Sequence, residues 1–250
     1  MIYAATSIWL MIAVLLAWGV YHIWSGIAKP KMVNAVLLPG TLVAQLGHIV
    51  GLLITGATVN NTALMQDDEK GGPTTDPNPQ PKIPVIGPVI VALLPMLALG
   101  AMIYLAIVKL GMSVVVNVPQ GAISTKLPGG LAAFWDQLRS LITLAEGTLN
   151  AVWTAESIHW QIAIFVYLMI CLTVRMAPLP GNVRGHLGAI VTVGLVAWLA
   201  GTVMGGLPGI IEQAWPLLTL AVGWLLVLMM FTLVVRGAVS SVQMMLRLER

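Results

Sequence analysis

Charge is confined to a few short stretches of this chain, and six long runs contain none. The runs are Met1–Ala28, Met32–Gln66, Ile83–Val108, Ser157–Val174, Gly185–Ile211 and Gln213–Val235. A helix needs roughly 20 apolar residues to cross a bilayer. Only 8% of the 250 residues are charged and 58% are hydrophobic, whereas an ordinary soluble domain carries about 25% charged residues. The pattern excludes a soluble globular fold. It predicts an all-α polytopic membrane protein with six transmembrane helices in a single integral membrane domain, residues 1–250. The run Ser157–Val174 reaches spanning length by extending into Met176-Ala177-Pro178.

The small net charge of +3 is spread over the loops. It leaves no basic footprint for nucleic acid, and the apolar runs make the bilayer an expected partner. Basic residues divide seven to five between the two sides of a six-helix arrangement. By the positive-inside rule this favours cytoplasmic termini, with a bacterial inner membrane as the expected location. The N-terminus is apolar from its start and lacks a basic leader, which reads as a retained first helix over Thr6–Trp24. The one cysteine, Cys171, rules out an intrachain disulfide framework.

Several segments punctuate the spans. Pro39-Gly40 interrupts the second run and frees backbone groups that must be satisfied again inside the protein. Ala57–Met65 and Ser113–Val118 read as short strand-like segments, and 66–82, rich in Pro, Gly and Asp, reads as a mobile polar loop. Pro95 falls mid-membrane in a helix over Val85–Val108. Residues 131–153 show a 3.6-residue period. Leu131, Phe134, Trp135, Leu138, Leu141, Ile142, Leu149, Val152 and Trp153 form one face, and Asp136, Arg139, Ser140, Thr143, Glu146 and Asn150 the other. That is an amphipathic helix expected to lie on the membrane surface or on a partner. Gly205–Gly209 reads as a turn before a last helix over Trp215–Val235, and Leu246–Arg250 as a charged interfacial tail.

Polar side chains inside membrane segments are costly and mark sites by default. The segment Leu42–Thr58, LVAQLGHIVGLLITGAT, holds Gln45 and His48 within one turn of each other. A helical H-E-x-x-H sets two His on one face to bind zinc, with the Glu as general base. Here Ala44 and Gln45 stand where the first His and the Glu would be, and only His48 remains. The segment AQLGHIVGLLITGATV resembles the motif helix of the site-2-protease-type intramembrane zinc metalloproteases. RMAPLPGNVRG, Arg175–Gly185, is similar to that family's second, Pro-rich motif, with Asn182 where a ligating Asp would stand. The resemblance covers a site-2-protease-like core, residues 33–185. It implies a fold retained without its chemistry, because three of the four functional positions (Ala44, Gln45 and Asn182) have changed. One His cannot hold a catalytic zinc when three protein ligands are the norm.

The resemblance therefore implies a pseudoprotease with no catalytic residue, metal or cofactor, acting as a subunit or scaffold that binds other membrane proteins. One alternative is an active intramembrane metalloprotease with unorthodox ligands, His48 with His186 on a zinc ion. Another is a small transporter or channel subunit with Gln45, His48 and Asn182 along a polar path, although no membrane-buried carboxylate is at hand to couple ions. Blander readings stand beside these. His48 can hydrogen-bond a backbone carbonyl, Gln45 and Asn182 can join helices, and Gly47, Gly51 and Gly56 can permit close packing. The 14 methionines are scattered through the helices and read as core filling rather than a copper site.

Overall fold

A computed structural model of the chain describes residues 2–57, 59, 62–63, 74–75, 86–116, 128, 130–154, 159–177, 190, 191, 194 and 207–248. The described residues are mainly helical. In chain order the helices are α1 (Ile2–Ile27), α2 (Pro30–Val36), α3 (Leu38–Ile54), α4 (Ile86–Ala106), α5 (Met112–Val116), α6 (Leu131–Thr154), α7 (His159–Val174) and α8 (Leu207–Leu248). A π-helical turn, Ile107–Gly111, joins α4 to α5.

Three helical stretches are long and apolar enough to cross a membrane: Tyr3–Ile27, Gly87–Val114 and Ile211–Met245. The chain is on this ground a membrane protein. α2 and α3 would make a fourth span, but they meet at a break and are bent by 79°. α7 is apolar and shorter, Trp160–Val174. The uncharged runs predicted six spans, and the described residues supply three, or four with the bent pair. Freedom from charge does not by itself make one straight helix. The second run is broken at Leu37, and α7 stops at Val174, where Arg175 and Met176 form a turn. Most of the run over Leu187–Val203 lies outside the described residues, as does most of the polar loop 66–82.

Two local expectations are corrected. Ser113–Val116 was predicted as a strand from its three valines, yet it continues the α4 rod through the π turn into α5. At the end of a membrane-length helix backbone groups must bond within the segment, and that requirement outweighs the preference of Val for strands, which depends on context. Asn117 and Val118 lie outside the described residues. In the other strand-like segment, among the described residues, Thr62 and Ala63 pair antiparallel with Thr75 and Thr74. The last helix also begins earlier and ends later than its apolar run. Leu207 starts it, so the turn expected at 205–209 is already helix from that residue on. Pro208 sits in the first turn, where its missing N–H costs nothing. At 42 residues and a rise of 1.5 Å each, α8 is roughly 63 Å long. That is about twice the ~30 Å hydrocarbon thickness, so the helix is longer than a single perpendicular crossing needs.

The core lies where α1, α4, α6, α7 and α8 converge. Trp9, Leu99, Ile103, Leu144, Phe165, Met169, Trp215 and Leu225 are fully buried there. The Trp9 ring meets Phe134 edge-on at 5.5 Å and Trp215 at 5.4 Å, and Phe165 meets Trp224 edge-on at 6.0 Å. α6 divides its apolar surface. Leu141, Leu144, Ala145, Thr148 and Ala151 are buried, with Leu144 seated against Gly223 of α8. A second strip, Leu131, Trp135, Ile142, Leu149 and Trp153, remains exposed. The helix thus does not rest on a surface by its whole apolar face, because one part of that face belongs to the bundle.

α3 and α4 form a close antiparallel pair. Gly47 lies on the backbone of Leu94 and Pro95, and Gly51 on Val91. A Cβ at residue 47 would come 2.7 Å from Pro95 Cα and 2.8 Å from the Leu94 carbonyl oxygen. α3 then stops on Gly56, whose φ of 71° suits glycine and lets Ala57 N–H bond the Leu52 carbonyl (2.9 Å) and Gly56 N–H that of Leu53 (3.1 Å). This is a Schellman cap.

The contact at Gly47 predicts that Gly47→Ala separates α3 from α4. The expected loss is about 1–3 kcal/mol, the usual cost of overpacking, in reversible denaturant unfolding of the detergent-solubilised protein. Gly237→Ala, where an added Cβ meets nothing within 4 Å, should instead stabilise α8 by about 0.5–1 kcal/mol. Equal shifts for the two variants would show that residue 47 is not a close-packing point.

Candidate functional site

The site begins with the broken helix. α2 ends at Val36 and α3 begins at Leu38, with Pro39 in its first turn, where a proline lacks no needed N–H. The chain turns at Leu37 (φ −85°, ψ 11°). The turn leaves the Val36 carbonyl to be satisfied from outside, and α7 does this with two side chains. Tyr167 Oη donates to Val36 O at 2.8 Å and Cys171 Sγ donates to it at 3.4 Å. Gly40 sits directly on the Cys171 carbonyl and on the aliphatic stem of Arg175, with no room for a Cβ. Thr41 Oγ1 donates to the Leu37 carbonyl at 3.0 Å and tightens the first turn of α3.

Beside the break lies a buried guanidinium. Arg175 follows the last residue of α7 and is only 8% exposed. Its Nη2 donates to Asn34 Oδ1 at 2.6 Å, and its guanidinium carbon stands 5.4 Å from the centre of the Tyr21 ring. Tyr21 Oη donates to the same Asn34 oxygen at 3.2 Å. The cation therefore rests on a neutral amide, an aromatic face and the carbonyl-rich end of α7, where positive charge is favoured. Arg175 Nε has no acceptor among the described residues. One guanidinium, one amide and two phenols thus tie α1, α2 and α7 to the break that sets the course of α3.

The predicted motif residues stand on the next turns of α3. Ala44 packs against the core cluster, Gln45 is 3% exposed, and His48 is half-buried one turn beyond Ala44. Ala44 and His48 lie on the inward side, while Leu42, Leu46, Val50 and Leu53 form an exposed apolar ridge behind them. Asn182 and His186 lie outside the described residues. No group of three or more His, Cys, Asp or Glu side chains stands close enough to hold a metal among the described residues.

Sequence reasoning located the break at Pro39-Gly40, two residues late, and missed its partners. Asn34, Tyr21 and Tyr167 carry no motif, and Arg175 stood only at the head of the Pro-rich segment with no partner named for it. The usable signal was the requirement itself: a break within an apolar run obliges donors to appear nearby, and α7 carries Tyr167 and Cys171 at i and i+4, on one face.

The geometry predicts a graded response at the node. Asn34→Ala removes the acceptor of both Arg175 and Tyr21 and should cost about 1.5–3 kcal/mol, the usual range for hydrogen bonds to a charged group. Tyr167→Phe should cost only about 1 kcal/mol, since Cys171 still donates to Val36 O. Denaturant unfolding in micelles measures both, and the reverse ranking would place the load on the break rather than on Arg175.

Compared with protein-family models, curated proteins and solved structures, the chain finds no match in any of the three.

Proposed function

We propose that this protein is a non-catalytic, site-2-protease-like integral membrane subunit that binds other membrane proteins. The observation that carries the reading is the state of residue 45. On the resemblance drawn from the sequence, this position belongs to the general base, which must reach water. Here it is an amide, which cannot accept a proton as a carboxylate does, and it is buried to 3% exposure in the α3 wall. Ala44, one residue earlier, offers no donor atom to a metal. The face of α3 turned away from these residues is apolar and open at Leu42, Leu46, Val50 and Leu53. In a bilayer that ridge is suited to an apolar helix of a partner, and the Gly-packed α3–α4 pair and the Arg175 node hold it rigid behind.

The proposal has a two-part test. A photo-crosslinker in place of Leu46, activated in native membranes, is expected to join the chain to an intact membrane protein, and the same label in place of Trp153 is not expected to give that adduct. Purified protein is expected to hold no near-stoichiometric zinc, with His48→Ala indistinguishable from the parent. Zinc bound at close to one ion per chain and lost in His48→Ala would overturn the non-catalytic reading in favour of a hydrolase using His48. Absence of any Leu46 adduct would overturn the placement of the partner on α3.

A further inference from the structure

The packing of α6 gives its charges a depth. α1 and α8 run side by side in one direction: Trp9 packs on Trp215, Gly19 faces Met229, and Trp24 Nε1 donates to Thr232 Oγ1 at 2.8 Å. α6 follows in the same sense, since Phe134 near its start meets Trp9 and Leu144 further on seats against Gly223. Its 24 residues make a rod roughly 36 Å long, enough for the ~30 Å hydrocarbon layer. Gly223 stands near the middle of the uncharged run Gln213–Val235, so Leu144 lies near mid-membrane when α8 crosses. Along the helix axis Glu146 is about 3 Å from Leu144 and Arg139 about 7.5 Å. Both charges are exposed.

The exposed surface of α6 is also regular. Trp135, Arg139, Ile142, Glu146, Leu149 and Trp153 follow one another at alternating steps of four and three residues, the spacing of a heptad seam. All six are exposed, Ile142 to 70% and Trp153 to 91%. The Arg139 guanidinium carbon lies 5.6 Å from the centre of the Trp135 ring on the same seam. Glu146 is roughly 10.5 Å further along the helix, too far to neutralise it.

We infer that α6 crosses the bilayer beside α8 and that this seam docks one membrane-spanning helix of another protein, with an acidic side chain opposite Arg139 and a basic one opposite Glu146. Ionised groups at hydrocarbon depth are costly and meet protein or water rather than acyl chains, so lipid is not the cover. A second copy, related by a two-fold axis along the membrane normal, would set Arg139 against Arg139 and Glu146 against Glu146, and like charges repel. A helix with the opposite charges satisfies both residues. α6 packs chiefly on α8 and α5, whereas α3 packs chiefly on α4 and α7. This face is therefore separate from the Leu46 ridge, and the inference does not depend on the state of residue 45.

The test has two arms, both on the full chain. Ala132 and Thr154 are exposed near the two ends of α6. Each is replaced singly by Cys and probed with a membrane-impermeant maleimide on right-side-out and inverted vesicles, with the parent and its buried Cys171 as background. Ala132→Cys and Thr154→Cys are expected to react from opposite sides. Reaction from the same side would lay α6 on the surface and overturn the inference. For docking, the protein is reconstituted in phosphatidylcholine vesicles with labelled leucine–alanine membrane helices that carry one central Glu, one central Lys or neither, and association is read by energy transfer. Each charged probe is expected to associate about fivefold more tightly than the neutral one, the strength of a good interhelical polar contact in a membrane. Glu146→Gln should remove the gain for the Lys probe alone, and Arg139→Gln that for the Glu probe alone. Charged probes that bind no better than the neutral one, variants that weaken both alike, or Ile142→Cys chains that cross-link to each other on oxidation would each overturn the docking seam.

Discussion

A carbonyl that leaves its helix inside an apolar bundle must find a donor, and the arrangement of this protein turns on one such group. Val36 O is the acceptor released where α2 gives way to α3. Tyr167 and Cys171 of α7 meet it from one face. Because that interaction fixes the break, it also fixes the 79° change of direction between the two helices. The direction of α3 in turn decides that Gly47 and Gly51, rather than its leucines, face α4. If α2 and α3 were continuous, the glycine face and the leucine ridge would point elsewhere, and the close contact with Leu94 and Pro95 would not form.

Arg175 belongs to the same set of constraints. A guanidinium stays charged at any ordinary pH, so burying it demands local compensation. Here the compensation is made of dipoles and a ring face: Asn34 Oδ1, the Tyr21 ring and the end of α7. Asn34 can serve because its one oxygen accepts from Arg175 and Tyr21 together. The node accordingly joins α1, α2 and α7 through a few polar atoms, much as Trp24 Nε1 donating to Thr232 Oγ1 at 2.8 Å joins α1 to α8. The aromatic core of Trp9, Phe134, Phe165, Trp215 and Trp224 supplies bulk attraction, whereas the node supplies orientation. An apolar bundle needs that second contribution, since lipid offers little hydrophobic drive for one helix to prefer another.

Much of the architecture was legible in the sequence. Uncharged length identified α1, α4 and α8 as membrane-length helices, and the 3.6-residue period identified the helix over Leu131–Thr154. Glycines at 47 and 51 marked a face for close approach. The failures share one cause. Val-rich Ser113–Val116 looked like a strand, and Leu207–Gly209 like part of a turn, because local preference was read without the environment that overrides it. The apolar period of α6 was visible, but not that Leu144 would seat on Gly223 while Trp153 stayed exposed. Periodicity reports which residues share a face and says nothing of how many neighbours that face meets. At the site, the positions of Ala44, Gln45 and His48 on one helix followed from spacing, while the node around Arg175 did not, since its members are brought together from 141 residues apart in the case of Arg175 and Asn34.

The sequence by itself determined the solvent of this protein, the membrane-length helices and the side-chain chemistry at residues 44 and 45: an alanine has no donor atom and a glutamine amide does not act as a carboxylate base, whatever the fold around them. Those properties reside in single residues and in local runs, and they survive any rearrangement of the helices. Only the tertiary structure decided where α3 bends, which carbonyl is left over and which side chains answer it. Only it decided that Gln45 is enclosed, and that the ring of Trp9 packs on that of Trp215 in the core. These depend on distances between residues far apart in the chain, and such distances are set by packing and by the need to pair buried polar atoms, neither of which is written in any one stretch.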